Sequence, residues 1–342
     1  MESLWVWLAF NAFVVVLLTL DLGVLHRKDR EIGVREALGL SLLYVLLAGT
    51  FATGIFLYHP RGEAAGLEFV TGYLIEKSLS LDNIFVFVLI FTHFQVPAAY
   101  QHRVLFWGIL GALAMRAAMI LAGVQLIHWF EPVVLLFGAF LILTGIKMLW
   151  AINQEPDLEN NRVIRFARRH LRVTDDYHGH DFFARRDGVL WVTPLFLVLV
   201  LVEASDAVFA VDSIPAILAI STDPFIVYTS NVFAILGLRA LYFALANVVH
   251  RFHYLKVGLS LVLVTIGAKM ILNGVNTLFL DGAWGDKVVP TEWALVLTAV
   301  LIGGSILVSL ARPAPEAKPQ GWVPGTTTRQ GKPHAEPRPA GD

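Results

Sequence analysis

The stretch "YLIEKSLSLDNIFVFVLIF", from Tyr73 to Phe91, is apolar enough to cross a membrane, yet it contains Glu76, Lys77 and Asp82. A charge at the centre of a membrane-spanning helix costs about 3 kcal/mol on insertion scales. Charged residues inside a membrane are therefore by default part of a functional site. The stretch raises two questions: how many such spans the chain has, and what the charges bind.

Apolar residues occur in long runs throughout the 342-residue chain, which is 56% hydrophobic and only 15% charged. Runs of about 20 residues are the length that a helix needs to cross a bilayer. This pattern predicts an all-α polytopic membrane protein with about nine transmembrane helices. The predicted spans are 4–25, 37–58, 67–91, 104–127, 132–151, 190–220, 225–249, 255–272 and 293–310.

Basic residues are concentrated in alternate connections between these spans, whereas the other connections contain few, among them Arg61 and Lys287. Lys and Arg in short connections stay on the cytoplasmic side of a membrane. The predicted N-terminus is therefore outside and the C-terminus is cytoplasmic. The connections predicted to be cytoplasmic are 26–36, 93–103, 152–189 and 250–256.

The two halves of the chain resemble each other. "LDNIFVF" (81–87) is similar to "SDAVFAV" (205–211), and "TGIKML" (144–149) is similar to "IGAKMI" (266–271). Each copy holds three spans, an odd number, so the second copy must enter the membrane from the opposite side. Inverted repeats of this kind are typical of secondary transporters, whose substrate sites lie at mid-membrane. Three charged positions keep nearly the same spacing in both copies: Asp82, Arg116 and Lys147, and Asp206, Arg239 and Lys269.

The predicted organisation has six parts. The last is rich in Pro, Gly and Thr with few apolar residues, a composition that cannot form a core and predicts disorder. The parts are two N-terminal transmembrane helices (1–66), a first three-helix repeat (67–151), a cytoplasmic charged loop (152–189), a second three-helix repeat (190–273), an outer loop with the last transmembrane helix (274–311), and a cytoplasmic tail (312–342).

Oxygen-bearing side chains accumulate in one span of each repeat. Ser78 and Ser80 add neutral oxygens to the first, and Pro215 predicts a break beside Asp212 in the second, because proline lacks an N–H. Oxygen ligands without thiols favour hard divalent cations such as Mn²⁺, Mg²⁺ or Ca²⁺, and the chain has no cysteine. The predicted metal ligands are Glu76, Asp82, Asn83, Glu203, Ser205, Asp206 and Asp212, with Arg116 and Arg239 as supporting charges.

Motifs of other protein classes are missing from the sequence. It contains no phosphate-binding glycine loop, no nucleophile triad and no cysteine pair. We therefore predict no enzyme activity, no bound cofactor and no nucleic-acid partner.

Four segments together resemble the TerC/Alx family of bacterial integral membrane proteins: "EKSLSLDNIFVF" (76–87), "YHGHDFF" (177–183), "TPLFLVLVLVEASDAVFAVDSIPAILAI" (193–220) and "SNVFAILGLRALYFAL" (230–245). The resemblance runs from about Leu40 to Asn276. It implies a multi-pass protein of the bacterial cytoplasmic (inner) membrane, related to LysE-type exporters and associated with manganese export, metal-ion homeostasis and tellurium resistance. The acidic motif positions of the family correspond here to Glu76, Asp82, Asn83, Glu203, Asp206 and Asp212, with no departure.

Three functional hypotheses follow. The first is an exporter of divalent metal ions, most simply Mn²⁺, working by alternating access of the two repeats within the lipid bilayer, with protons as a hypothetical coupling ion. The second is a membrane scaffold that docks partner proteins in metal or tellurium resistance, through segment 152–189 and the tail. The third is an exporter of amino acids or other organic cations, which requires a roomier cavity.

Overall fold

The computed structural model describes residues 4–23, 33–151, 165–166, 169, 171–174, 176–186, 188–246, 252, 254–281, 283–285 and 288–312. The tail beyond residue 312, which is predicted to be disordered, lies outside the described residues. So does most of the first half of the predicted loop 152–189. The helices are α1 (Leu4–Gly23), α2 (Val34–Tyr58), α3 (Gly62–His93), α4 (Ala98–Trp129), α5 (Val133–Trp150), α6 (Pro194–Leu218), α7 (Pro224–Leu236), α8 (Leu238–Leu245), α9 (Leu255–Phe279) and α10 (Thr291–Ala311), and the strands are β1 (Phe183–Arg186) and β2 (Val189–Val192).

The predicted class, an all-α polytopic membrane protein, is confirmed. Within the described residues, 7 helices are long and apolar enough to cross a membrane, with the pair α7–α8 counted as one span. The apolar part of α1 is shorter, Leu4–Leu20. Helix α3 is 32 residues long but is not among the 7. Helix α3 carries more charged residues than the other long helices, and it contains the predicted span 67–91.

Helix α3 runs through the middle of the bundle. At 1.5 Å per residue its length is about 48 Å, and it packs against α2, α6, α7 and α10. Helix α4 packs against α6 and α7 in turn. Side chains near the middle of α3, α4, α6 and α7 therefore converge on one volume, far from both ends of the bundle.

Helices α5 and α9 pack against each other through glycines. A Cβ atom at Gly138 would lie 2.9 Å from the carbonyl oxygen of Gly267, and one at Gly267 would lie 2.7 Å from the carbonyl oxygen of Gly138. Small residues allow two membrane helices to approach this closely, which increases their van der Waals contact. The two helices that end the predicted repeats thus form a tight pair.

The helix interruption lies in a different place from the one predicted. Helix α6 continues through Pro215 to Leu218, because neighbouring groups can compensate for a proline in a membrane helix. The chain is interrupted instead at Gly237, between α7 and α8. There the ammonium group of Lys77 donates a hydrogen bond to the carbonyl oxygen of Ala234, at 3.2 Å. A cation at the C-terminal end of α7 also compensates the helix dipole.

A β-hairpin packs against one end of the bundle. Strands β1 and β2 are antiparallel, with Phe183 opposite Val192, so residues 190–192 form a strand and not the start of the predicted span. The hydroxyl group of Tyr177 donates to the carbonyl oxygen of Phe94, which follows α3, at 2.7 Å. Burial raises the pKa of Tyr177 to about 12, so it remains a donor at neutral pH. We call this end the hairpin end.

Ionic side chains hold the opposite end of the bundle. Arg61 donates to both carboxylate oxygens of Glu68, at 3.0 and 2.9 Å, and to Asp223, at 2.9 Å. Ser221 also donates to Glu68, at 2.7 Å, and Asp223 caps the first turn of α7. We call Arg61, Glu68, Ser221 and Asp223 the Arg61 cluster. It joins the start of α3 to the turn between α6 and α7.

Candidate cation site

Two carboxylates from different halves of the chain meet at one arginine in the middle of the bundle. Arg116 of α4 donates to Glu76 of α3 and to both oxygens of Asp206 of α6, the latter at 3.0 and 3.4 Å. The exposed fractions of Glu76, Arg116 and Asp206 are 0%, 2% and 3%. Two buried acids and one buried base leave a formal charge of −1 on this group, which we call the central triad.

Neutral polar side chains surround the central triad. The side-chain amide of Asn83 donates to Asp206 at 3.2 Å, and Arg116 also donates to Ser213 at 3.3 Å and to Asn231 at 3.1 Å. Asn83 lies seven residues after Glu76, which is about two helical turns, so both residues project from the same face of α3. The site is therefore assembled from α3, α4, α6 and α7.

Among the described residues, three buried oxygens on this face of α3, from Glu76 onward, have no hydrogen-bond partner, and neither does the hydroxyl group of Tyr73 one turn earlier. The three are Oε2 of Glu76, Oγ of Ser80 and Oδ1 of Asn83, at positions i, i+4 and i+7 of the helix. Ser80 and Asn83 are each 1% exposed. A buried polar group without a partner costs free energy, and such groups in a native protein usually bind something. All three are oxygen ligands of the kind that hard cations prefer.

Asp82 and Asp212 are placed apart from the central triad. Asp82 is the immediate neighbour of Asn83 but projects about 100° away around α3, where it interacts electrostatically with Lys256. Asp212 accepts a hydrogen bond from Thr144 of α5 at 3.4 Å and interacts with Lys147. Asp82 and Asp206, which the two repeats align, therefore have different ionic partners, Lys256 and Arg116.

Glu203 lies one helical turn before Asp206 on the same side of α6, whereas Ser205 projects about 100° away from Asp206. The carboxylate of Glu203 fills the space that Gly111 of α4 leaves open, and a side chain at Gly111 would collide with it. Glu203 is close enough to Asp206 for their charges to interact. Ser205 donates to the carbonyl oxygen of Leu201 in its own helix, at 2.8 Å.

Arg239 lies beside the central triad. Together with Asp206 it lines a cavity of about 10 Å³, whose other walls are apolar. One water molecule requires roughly 10–15 Å³. Among the residues that the structure describes, no group of three or more His, Asp or Glu side chains is arranged to hold a metal ion. The metal-binding role of the predicted ligands therefore stays a prediction.

Sequence reasoning missed two contributors to the site and the partner of Lys77. Ser213 and Asn231 bind Arg116, and Lys77 binds the interrupted span. Asn231 could have been found, because an amide inside an otherwise apolar span is also costly to bury without a hydrogen-bond partner, although less so than the charge of Glu76. The position of Lys77 could not, since the interruption at Gly237 has no proline to announce it.

Comparison with known proteins agrees with this architecture. An uncharacterized membrane protein of Myxococcus xanthus, STKORF319, is 52% identical over 307 residues, which is 90% of this chain and 92% of that protein. A protein of Escherichia coli (strain K12) with the name "Putative membrane-bound redox modulator Alx" is 48% identical over 273 residues, which is 78% of this chain and 85% of that protein. No solved structure matches the chain.

The family model for the integral membrane protein TerC family matches residues 61–316. This range begins at the Arg61 cluster, includes all four helices of the central triad and its neighbours, and ends just after α10. The chain therefore belongs to the integral membrane protein TerC family.

Proposed function

We propose that this protein exports divalent metal ions, most simply Mn²⁺, across the bacterial cytoplasmic membrane, and that the ion binds between α3 and α6. The observation that carries the proposal is the row of three unpartnered oxygens on α3: Glu76 Oε2, Ser80 Oγ and Asn83 Oδ1. A membrane interior offers little water to satisfy such groups. A cation that they coordinate would do so.

The chemistry of the site supports a hard cation as the substrate. Carboxylate, amide and hydroxyl oxygens are the ligands that Mn²⁺, Mg²⁺ and Ca²⁺ prefer, and the chain has no cysteine for softer metals. The cavity of about 10 Å³ beside Asp206 suits an ion better than an amino acid, which disfavours an organic substrate. A redox role through the protein's own thiols is excluded by the same absence of cysteine.

The packing of the helices supports alternating access by two repeats. In the predicted scheme, α3, α4 and α5 form the first repeat, and α6, α7–α8 and α9 form the second. A twofold axis between the repeats would place the first helix of each repeat beside the second helix of the other, and the two third helices beside each other. The contacts follow this scheme, since α3 packs on α7, α4 on α6 and α5 on α9. Under the predicted orientation, the hairpin end is cytoplasmic and the Arg61 cluster lies outside.

Transport in everted membrane vesicles tests the proposal. Wild-type vesicles are expected to take up Mn²⁺, reported by an internal fluorescent indicator. Glu76→Gln and Asp206→Asn should reduce the initial rate by at least about tenfold, because disturbing a metal site typically costs 10–100-fold. Glu292→Gln is the matched control, since Glu292 is exposed in the first turn of α10.

Two outcomes would contradict the proposal. Wild-type vesicles that take up no divalent cation would favour the scaffold hypothesis, which predicts partner binding without flux. Equal uptake by wild type, Glu76→Gln and Asp206→Asn would place the ion elsewhere. Replacing Mn²⁺ with Zn²⁺, Co²⁺ or Ca²⁺, or with a cationic amino acid, in the same vesicles defines the substrate class.

A further inference from the structure

Arg116 occupies the position between the two carboxylates where a cation would be attracted most strongly. Its guanidinium group contacts Glu76 on one side and Asp206 on the other, and these residues belong to different halves of the chain. Arginine is always protonated in proteins. The structure therefore shows a carboxylate pair whose counter-ion is part of the protein itself.

A divalent cation and the guanidinium group cannot both neutralise this pair. Within the central triad the formal charges sum to −1, and the neighbouring Glu203 and Arg239 carry formal charges of opposite sign. Adding a divalent cation changes the sum of the triad to +1 and places two cations side by side in a water-poor interior. Without Arg116, two carboxylates and one divalent cation sum to zero. Charges are costly to bury unless they are balanced, so the neutral combination is favoured.

The unpartnered oxygens indicate that Arg116 satisfies the site only in part. It contacts Oε1 of Glu76, whereas Oε2 of Glu76 and the side-chain oxygens of Ser80 and Asn83 have no partner in the part of the chain that the structure describes. Ser213 and Asn231 accept hydrogen bonds from Arg116, and they lie in α6 and α7, the helices opposite α3. The guanidinium group thus has other acceptors beside it if the carboxylates are taken by an ion.

Resting on the proposed function, we infer that Arg116 is a tethered counter-cation, which replaces the divalent ion between Glu76 and Asp206 whenever the protein is unloaded. After the ion leaves, return of Arg116 neutralises the carboxylates, and the empty protein can change conformation without carrying an ion back. Net export then requires no proton on either carboxylate. Exchange of one metal ion for another does not require Arg116, because the protein then carries an ion each time it changes conformation and the carboxylates are never left without a cation.

Proteoliposomes containing the full chain separate these two modes. Net flux is measured as Mn²⁺ entry into metal-free vesicles, and exchange as entry of radioactive Mn²⁺ with equal Mn²⁺ on both sides. For Arg116→Gln, net flux should fall by at least about tenfold while exchange stays within about twofold of wild type. Its apparent affinity for Mn²⁺ should rise, because an internal competitor has been removed. Arg35→Gln, at the exposed start of α2, is the control.

Arg116→Lys provides a second variant that keeps the buried positive charge. A lysine ammonium group lacks the planar fork that reaches two carboxylates at once, so net flux should lie between those of wild type and Arg116→Gln, with exchange unchanged. A fall of net flux and exchange by the same factor in folded protein, or full net flux in Arg116→Gln, would overturn the inference. Absence of all flux in the wild type would instead refute the proposed function.

Discussion

Two serines on α3 have similar burial but different surroundings. Ser78 is 3% exposed and donates to the carbonyl oxygen of Leu74 at 2.6 Å. Ser80 is 1% exposed, and its hydroxyl group has no partner among the described residues. The two residues project from different faces of the helix. This pair allows a ligand role to be separated from a structural role without changing any charge.

Ser80→Ala is expected to raise the Mn²⁺ concentration needed for half-maximal flux by about tenfold, since a lost oxygen contact to a charged group is worth roughly 1.5 kcal/mol. The melting temperature should not fall, because no internal hydrogen bond is removed. Ser78→Ala is the matched control, with unchanged flux. Equal kinetics for the two variants, measured in proteoliposomes, would remove Ser80 from the site.

The location of the charged site could be predicted from the sequence, but its exact membership could not. Energetic cost alone identified Glu76, Asp206 and Arg116 as residues of one site. It could not distinguish Asp82 from Asn83, because a rotation of about 100° per residue decides which one faces α6. That rotation is fixed by the packing of the whole helix, which neighbouring residues in the sequence do not reveal.

At the scale of elements, the approach of α5 to α9 depends on the absence of side chains. A Cβ atom at Gly138 would lie 2.7 Å from a side-chain carbon of Ile271, as well as close to the backbone of Gly267. Gly49 in α2, in contrast, has nothing within 4 Å of the position of a Cβ atom. The same substitution should therefore have opposite effects in the two helices.

Gly138→Ala is expected to destabilise the protein by about 1–3 kcal/mol, because overpacking forces the two helices apart. Gly49→Ala should be neutral or should stabilise it by about 0.5–1 kcal/mol, since alanine restricts the unfolded chain. Thermal unfolding in detergent, followed by loss of monodisperse protein, checks both. A melting temperature that changes in the same direction for both variants would contradict this view of the α5–α9 contact.

At the same scale, the helices could be predicted from hydrophobic runs, whereas the position of the helix break could not. Pro215 suggested a break in α6 that the structure does not have, and Gly237 gave no signal for the break that it does have. A proline removes one donor, but neighbouring groups in a packed bundle can compensate. At the break near Gly237, the carbonyl oxygen of Ala234 accepts a hydrogen bond from Lys77, which lies 160 residues before Gly237 in the chain.

At the scale of the whole molecule, the Arg61 cluster closes the bundle on the side of the central triad that is predicted to face outwards. Between this cluster and the central triad, α3 and α7 are in close contact, because a Cβ atom at Gly72 would lie 3.0 Å from the hydroxyl group of Ser230. Arg61 binds Glu68 of α3 and also Asp223, which caps α7. It thereby holds together the two helices that would have to separate for release to the outside.

Loss of Arg61 should favour opening at this end. The chain has no cysteine, so Thr71→Cys introduces a single thiol at a position that is 0% exposed and lies one turn beyond Glu68. Adding Arg61→Gln should increase its labelling by a membrane-impermeant reagent by about tenfold, which corresponds to about 1.4 kcal/mol. Thr71→Cys with Arg35→Gln is the control, and equal labelling of both would contradict the prediction.

The two ends of the bundle are closed by different forces. Arg61 is 41% exposed, so dissolved ions can screen its attachment to Glu68 and Asp223. The hairpin end is closed by apolar side chains, among them Phe87, Phe91 and Phe182, whose association weakens on cooling and is little affected by moderate salt. Under the predicted orientation, high salt outside the cell would therefore weaken the contacts that close the outer end, whereas low temperature would weaken those that close the cytoplasmic end.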